Sequence, residues 1–259
     1  MIHFDCHAHV YERISAIPGA RYSPASPAPL SSWIENLESH DLKGGIIVQV
    51  SFLGTDNSEL CAALAKLDRA RFAGVAVVAL DVDDLALGRL VASGIRGVRW
   101  NLVGGDSVPN IKSPIVQDFF AKLRQKKLHL EVHLEGPRLA RHLAELTDQG
   151  VNVVIDHYGL PSDPHPRSDP MLNAVALLPY RENLFFKFSA HYRSKFDLTP
   201  HSMRLLDLLD DHHIVWGSDW PHTQHENSVN YNNTFIDAAQ RADISDIEVA
   251  RHLYGISSR

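Results

Sequence analysis

Cysteine is scarce. The chain has 259 residues and two cysteines, Cys6 and Cys61, too few for a disulfide framework. Positive charge is short as well: 25 Lys and Arg stand against 31 Asp and Glu, a net charge of −6. That balance excludes the basic field by which a protein grips nucleic acid or an anionic membrane. No apolar run has the length of a membrane span. Three motifs are absent: a Gly-x-Ser-x-Gly elbow for a serine nucleophile, a P-loop, and a Gly-x-Gly-x-x-Gly loop after the first strand. The dipeptide-spaced histidines follow Met1 so closely that no signal peptide is expected before them, and a cytoplasmic location is expected.

What the chain does have is histidine, 16 in all, and a regular alternation of apolar runs with amphipathic segments. Strands are predicted at residues 2–5, 45–50, 73–80, 95–100, 128–134, 151–156, 183–189 and 213–218. Segments such as SSWIENLESH, SELCAALAKLDRA, DLALGRLVAS, VQDFFAKLRQK and RLARHLAEL lie between them, with apolar residues at three- and four-residue spacing. A repeated strand–helix unit implies parallel pairing through crossover helices. A doubly wound open sheet competes, but eight strands in this length fit a closed (β/α)₈ TIM barrel better, as one domain over 1–259. Three connections are long, at 10–30, 157–170 and 220–233. All three follow strands, so all three are expected over the C-terminal mouth of the barrel, where long ordered loops are usually functional.

Catalytic groups in such a barrel sit at the C-terminal ends of strands. Strand one ends in His7 and His9, strand four in Arg99, strand five in His133, strand six in His157, and strand eight in GSDWPH, which supplies Asp219 and His222. Residues two apart on a strand share a face, so Asp5, His7 and His9 are expected to project together and Cys6 to face away. Arg96 and Arg99 should face opposite ways, and Arg99 is preferred as the inward one. His129 and Glu131 share the face of His133 but lie deeper. His40, His142, His212 and His252 fall in helical or surface contexts. Alone, His133 also reads as a core histidine, and Asp219 as a helix N-cap.

Taken together, His7, His9, His133 and Asp219 form a set of three imidazoles and a carboxylate that suits one divalent ion, zinc or manganese, with a position open for water. His157 would be free to move protons or polarise a substrate. Operation without metal is the alternative.

This ordered set, from His7 to Asp219, resembles the amidohydrolase superfamily. More locally, VQVSFLGTDNS (48–58), RGVRWNLV (96–103), VIDHYGLP (154–161) and VWGSDWPH (215–222) resemble its 2-pyrone-4,6-dicarboxylate lactonase branch. The resemblance implies that Asp219 activates water, that His7, His9 and His157 polarise a lactone carbonyl directly or through metal, and that Tyr22, Ser51, Arg99 and His222 fix the substrate, with Arg193 as a further anion-binding group. It departs from the branch at three places. His133 stands where the lactonase has tyrosine, restoring a ligand found in metal-binding relatives. GGDSVP follows RGVRWNLV where a basic residue is expected, and Leu160 replaces an expected arginine. No lysine ends strand four, so no more than one metal is expected.

The expected activity is hydrolysis of a small anionic lactone of 2-pyrone, muconolactone or sugar-lactone type, as in aromatic catabolism. Metal-dependent decarboxylation of an aromatic or enoic acid is the alternative, and a non-catalytic barrel a third reading. The expected partner is a small-molecule substrate, with neither nucleic acid nor membrane, and a homo-oligomer is left open.

Overall fold

The computed structural model describes residues 1–242, 244 and 246–257. Eight parallel strands follow one another in sequence order: β1 (Phe4–Ala8), β2 (Gly44–Val48), β3 (Phe72–Ala76), β4 (Ile95–Asn101), β5 (His129–His133), β6 (Val153–Ile155), β7 (Leu184–Ser189) and β8 (Ile214–Gly217). The cylinder closes beyond β8, where Asp219 N donates to His7 O at 2.8 Å and His9 N to Trp220 O at 2.7 Å. Helices α1 (Leu30–Ser39), α2 (Ser58–Leu64), α3 (Asp84–Ala92), α4 (Pro114–Lys126), α5 (Gly136–Thr147), α6 (Pro170–Leu177), α7 (Thr199–Leu209) and α8 (Tyr231–Arg241) form the outer layer. The expected α/β TIM barrel is therefore the observed one. Among the described residues, no helix is long and apolar enough to cross a membrane.

Strand ends move for identifiable reasons. β3 stops at Ala76 rather than residue 80 because the amide of Val77 leaves the ladder to donate to Asn57 Oδ1 at 3.0 Å. β1 starts later than expected because the amides of His3 and Phe4 are taken by the carboxylate of Asp246.

A last helix, α9 (Ile247–Tyr254), plugs the bottom of the barrel. Its Val249, Ala250, Leu253 and Tyr254 pack with Phe4, Cys6, Ile46, Val48, Val75, Val154, Phe185 and Val215. These inward side chains, drawn from successive strands, form a dry floor. The outward ones, such as Ile47, Val98, Leu130 and Trp216, pack under the helices. Above the floor the interior turns polar, with Glu131, Lys187, Asp156 and Arg99 all buried.

The expected facing of β1 is corrected here. Three steps along β1, from Asp5 to Ala8, match only two along β2, from Gly45 to Ile47, so β1 carries a bulge. Asp5 points outward, accepting from Trp33 Nε1 of α1 at 2.9 Å and Tyr231 OH of α8 at 2.9 Å. Cys6 and His7 both point inward, Cys6 into the floor and His7 above it. Gly217 on β8 makes this possible. A Cβ there would overlap that of His7 and stand 2.8 Å from its N and 3.0 Å from its Cα. Gly97 on β4 does the same for His129, whose imidazole fills the space a side chain would need.

Candidate active site

The site is built where the barrel closes. The backbone bonds between residues 7–9 and 219–220 bring the first strand's histidines beside the loop after β8. At that loop Asp219 adopts a positive φ of 58°, and after β6 His157 adopts 53°. These left-handed residues break the strand alternation, so Asp156 and His157, adjacent in sequence, both turn into the mouth.

Asp219 is the centre. His7 Nε2 lies 3.7 Å, His9 Nε2 3.5 Å and His157 Nε2 3.9 Å from its Oδ1. Its Oδ2 accepts from Tyr192 OH at 2.7 Å and from Arg193 Nε and Nη2 at 3.0 and 2.9 Å. Burial alone would raise the Asp219 carboxyl. Arg193, with the surrounding imidazoles, instead holds it well below the usual carboxylate range.

Each imidazole is oriented from behind. His9 Nδ1 donates to Val48 O at 2.8 Å, and because a carbonyl only accepts, a neutral His9 presents its Nε2 lone pair to the site. His157 Nδ1 lies 2.7 Å from Ser189 Oγ, a hydroxyl that can donate or accept. His7 Nδ1 lies 3.3 Å from Asp156 Oδ1 and 3.2 Å from Lys187 Nζ, while its buried Nε2 has no hydrogen-bond partner. Burial pushes His157 down to about 4 and His7 well below the usual histidine range, so both rings are neutral at pH 7.

A buried charge network supports this layer. Arg99 Nε donates to Asp156 Oδ2 at 2.8 Å, and Lys187 Nζ meets Glu131 Oε1 at 2.6 Å and Asp156 Oδ1 at 3.6 Å. Burial opposes ionisation of Asp156, but Arg99, His7 and Lys187 hold it well below its ordinary value. The inward assignment of Arg99 holds. Arg96 turns to the carbonyls of Val91 and Ile95.

His133 is placed differently from the other three imidazoles. Its Nδ1 is held 3.1 Å from Arg99 Nη2, and its ring meets His157 edge-on with centroids 4.6 Å apart. The ligand atoms of His7, His157 and Asp219 lie within 4.8 Å of one another, as do those of His133, Asp156 and His157. Groups able to hold a metal ion are thus present.

A cavity of about 210 Å³ opens above Asp219, lined in part by His9, Tyr22, Ser51, Arg99, His133, His157 and Arg193. Tyr22 is held edge-on to Phe52, with ring centroids 5.8 Å apart. His222 is buried beside this cavity rather than on its lining, edge-on to Tyr192 at 5.7 Å. Arg21, absent from the expected site, also borders the cavity and bonds the carbonyl of Val103 in the loop after β4. Asn101, Thr223 and Gln224 line it too, while Asp156, Lys187 and Tyr192 act from behind. Lys187 was detectable as a lone charge inside the apolar run FFKFS. Arg21 carried no such signal, because its place depends on how the first loop folds back.

The amidohydrolase family model matches residues 4–255. A 2-pyrone-4,6-dicarboxylate hydrolase of Comamonas testosteroni is 29% identical over 241 residues, covering 84% of this chain and 76% of that protein. A 4-sulfomuconolactone hydrolase of Rhizobium radiobacter is 22% identical over 228 residues, covering 85% and 76%. The crystal structure of a probable 2-pyrone-4,6-dicarboxylic acid hydrolase from Acinetobacter baumannii, with citric acid bound, superposes with a TM-score of 0.90 at 30% identity, covering 99% of this chain and 100% of that one.

Proposed function

Because the chain belongs to the amidohydrolase family, as a hydrolase with lactone-hydrolysing relatives, we propose that it opens a small anionic lactone with water activated at Asp219. The observation that carries this reading is the convergence of three buried imidazoles on Asp219 Oδ1, under a cavity bordered by Arg99 and Arg193.

Asp219 stays ionised and keeps Oδ1 for water while Tyr192 and Arg193 occupy Oδ2. Oδ1 takes a proton from that water as its oxygen bonds the lactone carbonyl carbon. With Ser189 donating to its Nδ1, neutral His157 offers Nε2–H to the carbonyl oxygen, where negative charge develops. The bond to the ring oxygen then breaks, and the proton held on Asp219 passes to that oxygen. The product is a hydroxy acid, which ionises near neutrality. Arg99 spends one N–H on Asp156 and one on His133, leaving others for the substrate's carboxylate. Tyr22, Ser51 and Arg193 would complete the grip from the cavity wall, and His222 would act from beside it.

The same residues fit a divalent ion, because the orphaned Nε2 of His7 and the lone pair of His9 face a carboxylate oxygen. His7, His9 and Asp219 would hold zinc or manganese, with His157 rather than His133 as the third imidazole on that oxygen. When bound, such an ion supplies Lewis acidity and lowers the pKa of a coordinated water toward roughly 7.

The test is proton release from a panel of 2-pyrone, muconolactone and sugar-lactone acids, read in a pH-stat for the wild type and Asp219→Asn. Acid release that falls by on the order of 10²–10⁴ in the variant is expected. Wild-type rates from the variant would overturn the mechanism. CO₂ evolution with proton uptake would instead assign the site to decarboxylation.

A further inference from the structure

A second cavity, of about 280 Å³, adjoins the first between the loops after β6 and β7. His157 and Arg193 border both. The two cavities therefore share those two side chains as a common border, next to Asp219. Half of its lining is apolar, Leu160, Pro161, Ala190, Phe196 and Leu198, and beside His157 and Arg193 the other half holds Ser162, Ser194 and the exposed Lys195.

These walls are fixed rather than loose. Leu160 sits in a left-handed turn (φ 44°), its N donating to His157 O at 2.9 Å and its O accepting from Gly136 N at 3.0 Å. Phe196 is tied by its backbone to Ser194 Oγ, at 2.8 and 3.2 Å, and stacks obliquely on His201 with centroids 5.3 Å apart. Of the two cationic neighbours, Arg193 commits its Nε and Nη2 to Asp219 and Thr223 O, which leaves Nη1 for the substrate, and Lys195 is exposed. An uncharged apolar group loses nothing by entering between Leu160, Phe196 and Leu198, whereas a carboxylate seated against those side chains, away from the exposed Lys195, would shed its water without a replacement. The volume exceeds the ~150 Å³ in which an apolar cavity accommodates benzene.

We infer that this cavity is a substituent subsite: the preferred lactone carries an anionic group toward Arg99 and an uncharged, ring-sized apolar group toward Leu160. This rests on the lactone reading above and names the substrate class for it.

Unreactive pyridone isosteres separate binding from turnover. Dissociation constants would be measured calorimetrically for 2-pyridone-6-carboxylate, its 4-phenyl derivative and 2-pyridone-4,6-dicarboxylate, with wild type, Leu160→Trp and Leu160→Ala. The phenyl compound should bind at least about tenfold more tightly than either other, as burial of part of a ring supplies. Leu160→Trp, which fills the subsite, should bring the phenyl-to-unsubstituted ratio close to one, and Leu160→Ala should preserve the preference. A ratio unmoved by Leu160→Trp, tighter binding of the dicarboxylate, or binding of none of the three would overturn the inference. The corresponding pyrones, followed by acid release, keep the two readings apart. Ring opening without phenyl preference sinks the subsite alone, and phenyl preference without ring opening sinks the lactonase reading alone.

Discussion

Replacing Gly217 with alanine tests the geometry on which the site depends. The added methyl would overlap His7 Cβ and press on the backbone N and Cα of the same residue at 2.8 and 3.0 Å. Backbone cannot rotate away as a side-chain tip can, so β1 must shift at its bulge. Forcing one methyl into a packed interior costs about 1–3 kcal/mol, and a domain of this size loses roughly 2–4 °C of Tm per kcal/mol. Gly97→Ala is the graded comparison, since the atoms nearest its methyl belong to the imidazole of His129, a side chain, and not to backbone. Gly88→Ala is the opposite control. It lies within α3 with only Lys126 Nζ at 4.0 Å, and alanine there should stabilise by about 0.5–1 kcal/mol. Thermal unfolding of the three, together with acid release from a lactone substrate, should rank Gly217→Ala lowest in both. Gly217→Ala with wild-type Tm and rate would refute the argument that β8 must lack a side chain for His7 to turn inward.

Stability should also fall with acidity in a defined window. His157 and His222 are both held at about 4 by burial, below the ordinary 6.5. The unfolded chain therefore takes up protons first as pH drops, and stability present above pH 6.5 is lost progressively toward pH 4. Tm of chelator-treated protein that stays flat from pH 7 to 4 would contradict neutral burial of these rings. Arg99→Met should destabilise as well as weaken substrate binding, because it strands the buried Asp156 carboxylate. A loss of about 3–5 kcal/mol is expected in chemical denaturation, and an unchanged midpoint would mean that Asp156 is neutral or rehydrated. Elemental mass spectrometry of protein purified without added metal should find zinc or manganese, with the content lost in His9→Ala. Full metal retention in that variant would remove His9 from the ligand set.

The barrel and its polar mouth were legible because both depend on periodicity. Strand-end positions follow from alternating apolar runs, and in a parallel barrel all such ends share one face. That logic found His7, His9, Arg99, His133, His157 and Asp219 without coordinates. It failed where the backbone leaves regular geometry. A bulge in β1 turned Asp5 outward and Cys6 inward, the reverse of strict alternation. A left-handed turn let Asp156 join His157, although adjacent strand residues should diverge. Arg21 and Tyr192 reach the site through loops, whose paths are set by contacts such as Arg21 with Val103 O rather than by local pattern.

The seam between the first and last strands has a further consequence. His7 and Asp219 stand 212 positions apart, yet a backbone hydrogen bond joins them at the seam, beside that from His9 to Trp220. During synthesis β1 must therefore wait, its histidines without their carboxylate, until β8 has been made. Contacts of such sequence separation form slowly. Ring closure and assembly of the candidate site are one event, so a chain truncated before β8 would carry His7, His9, His133 and His157 without Asp219, and no activity is expected from it.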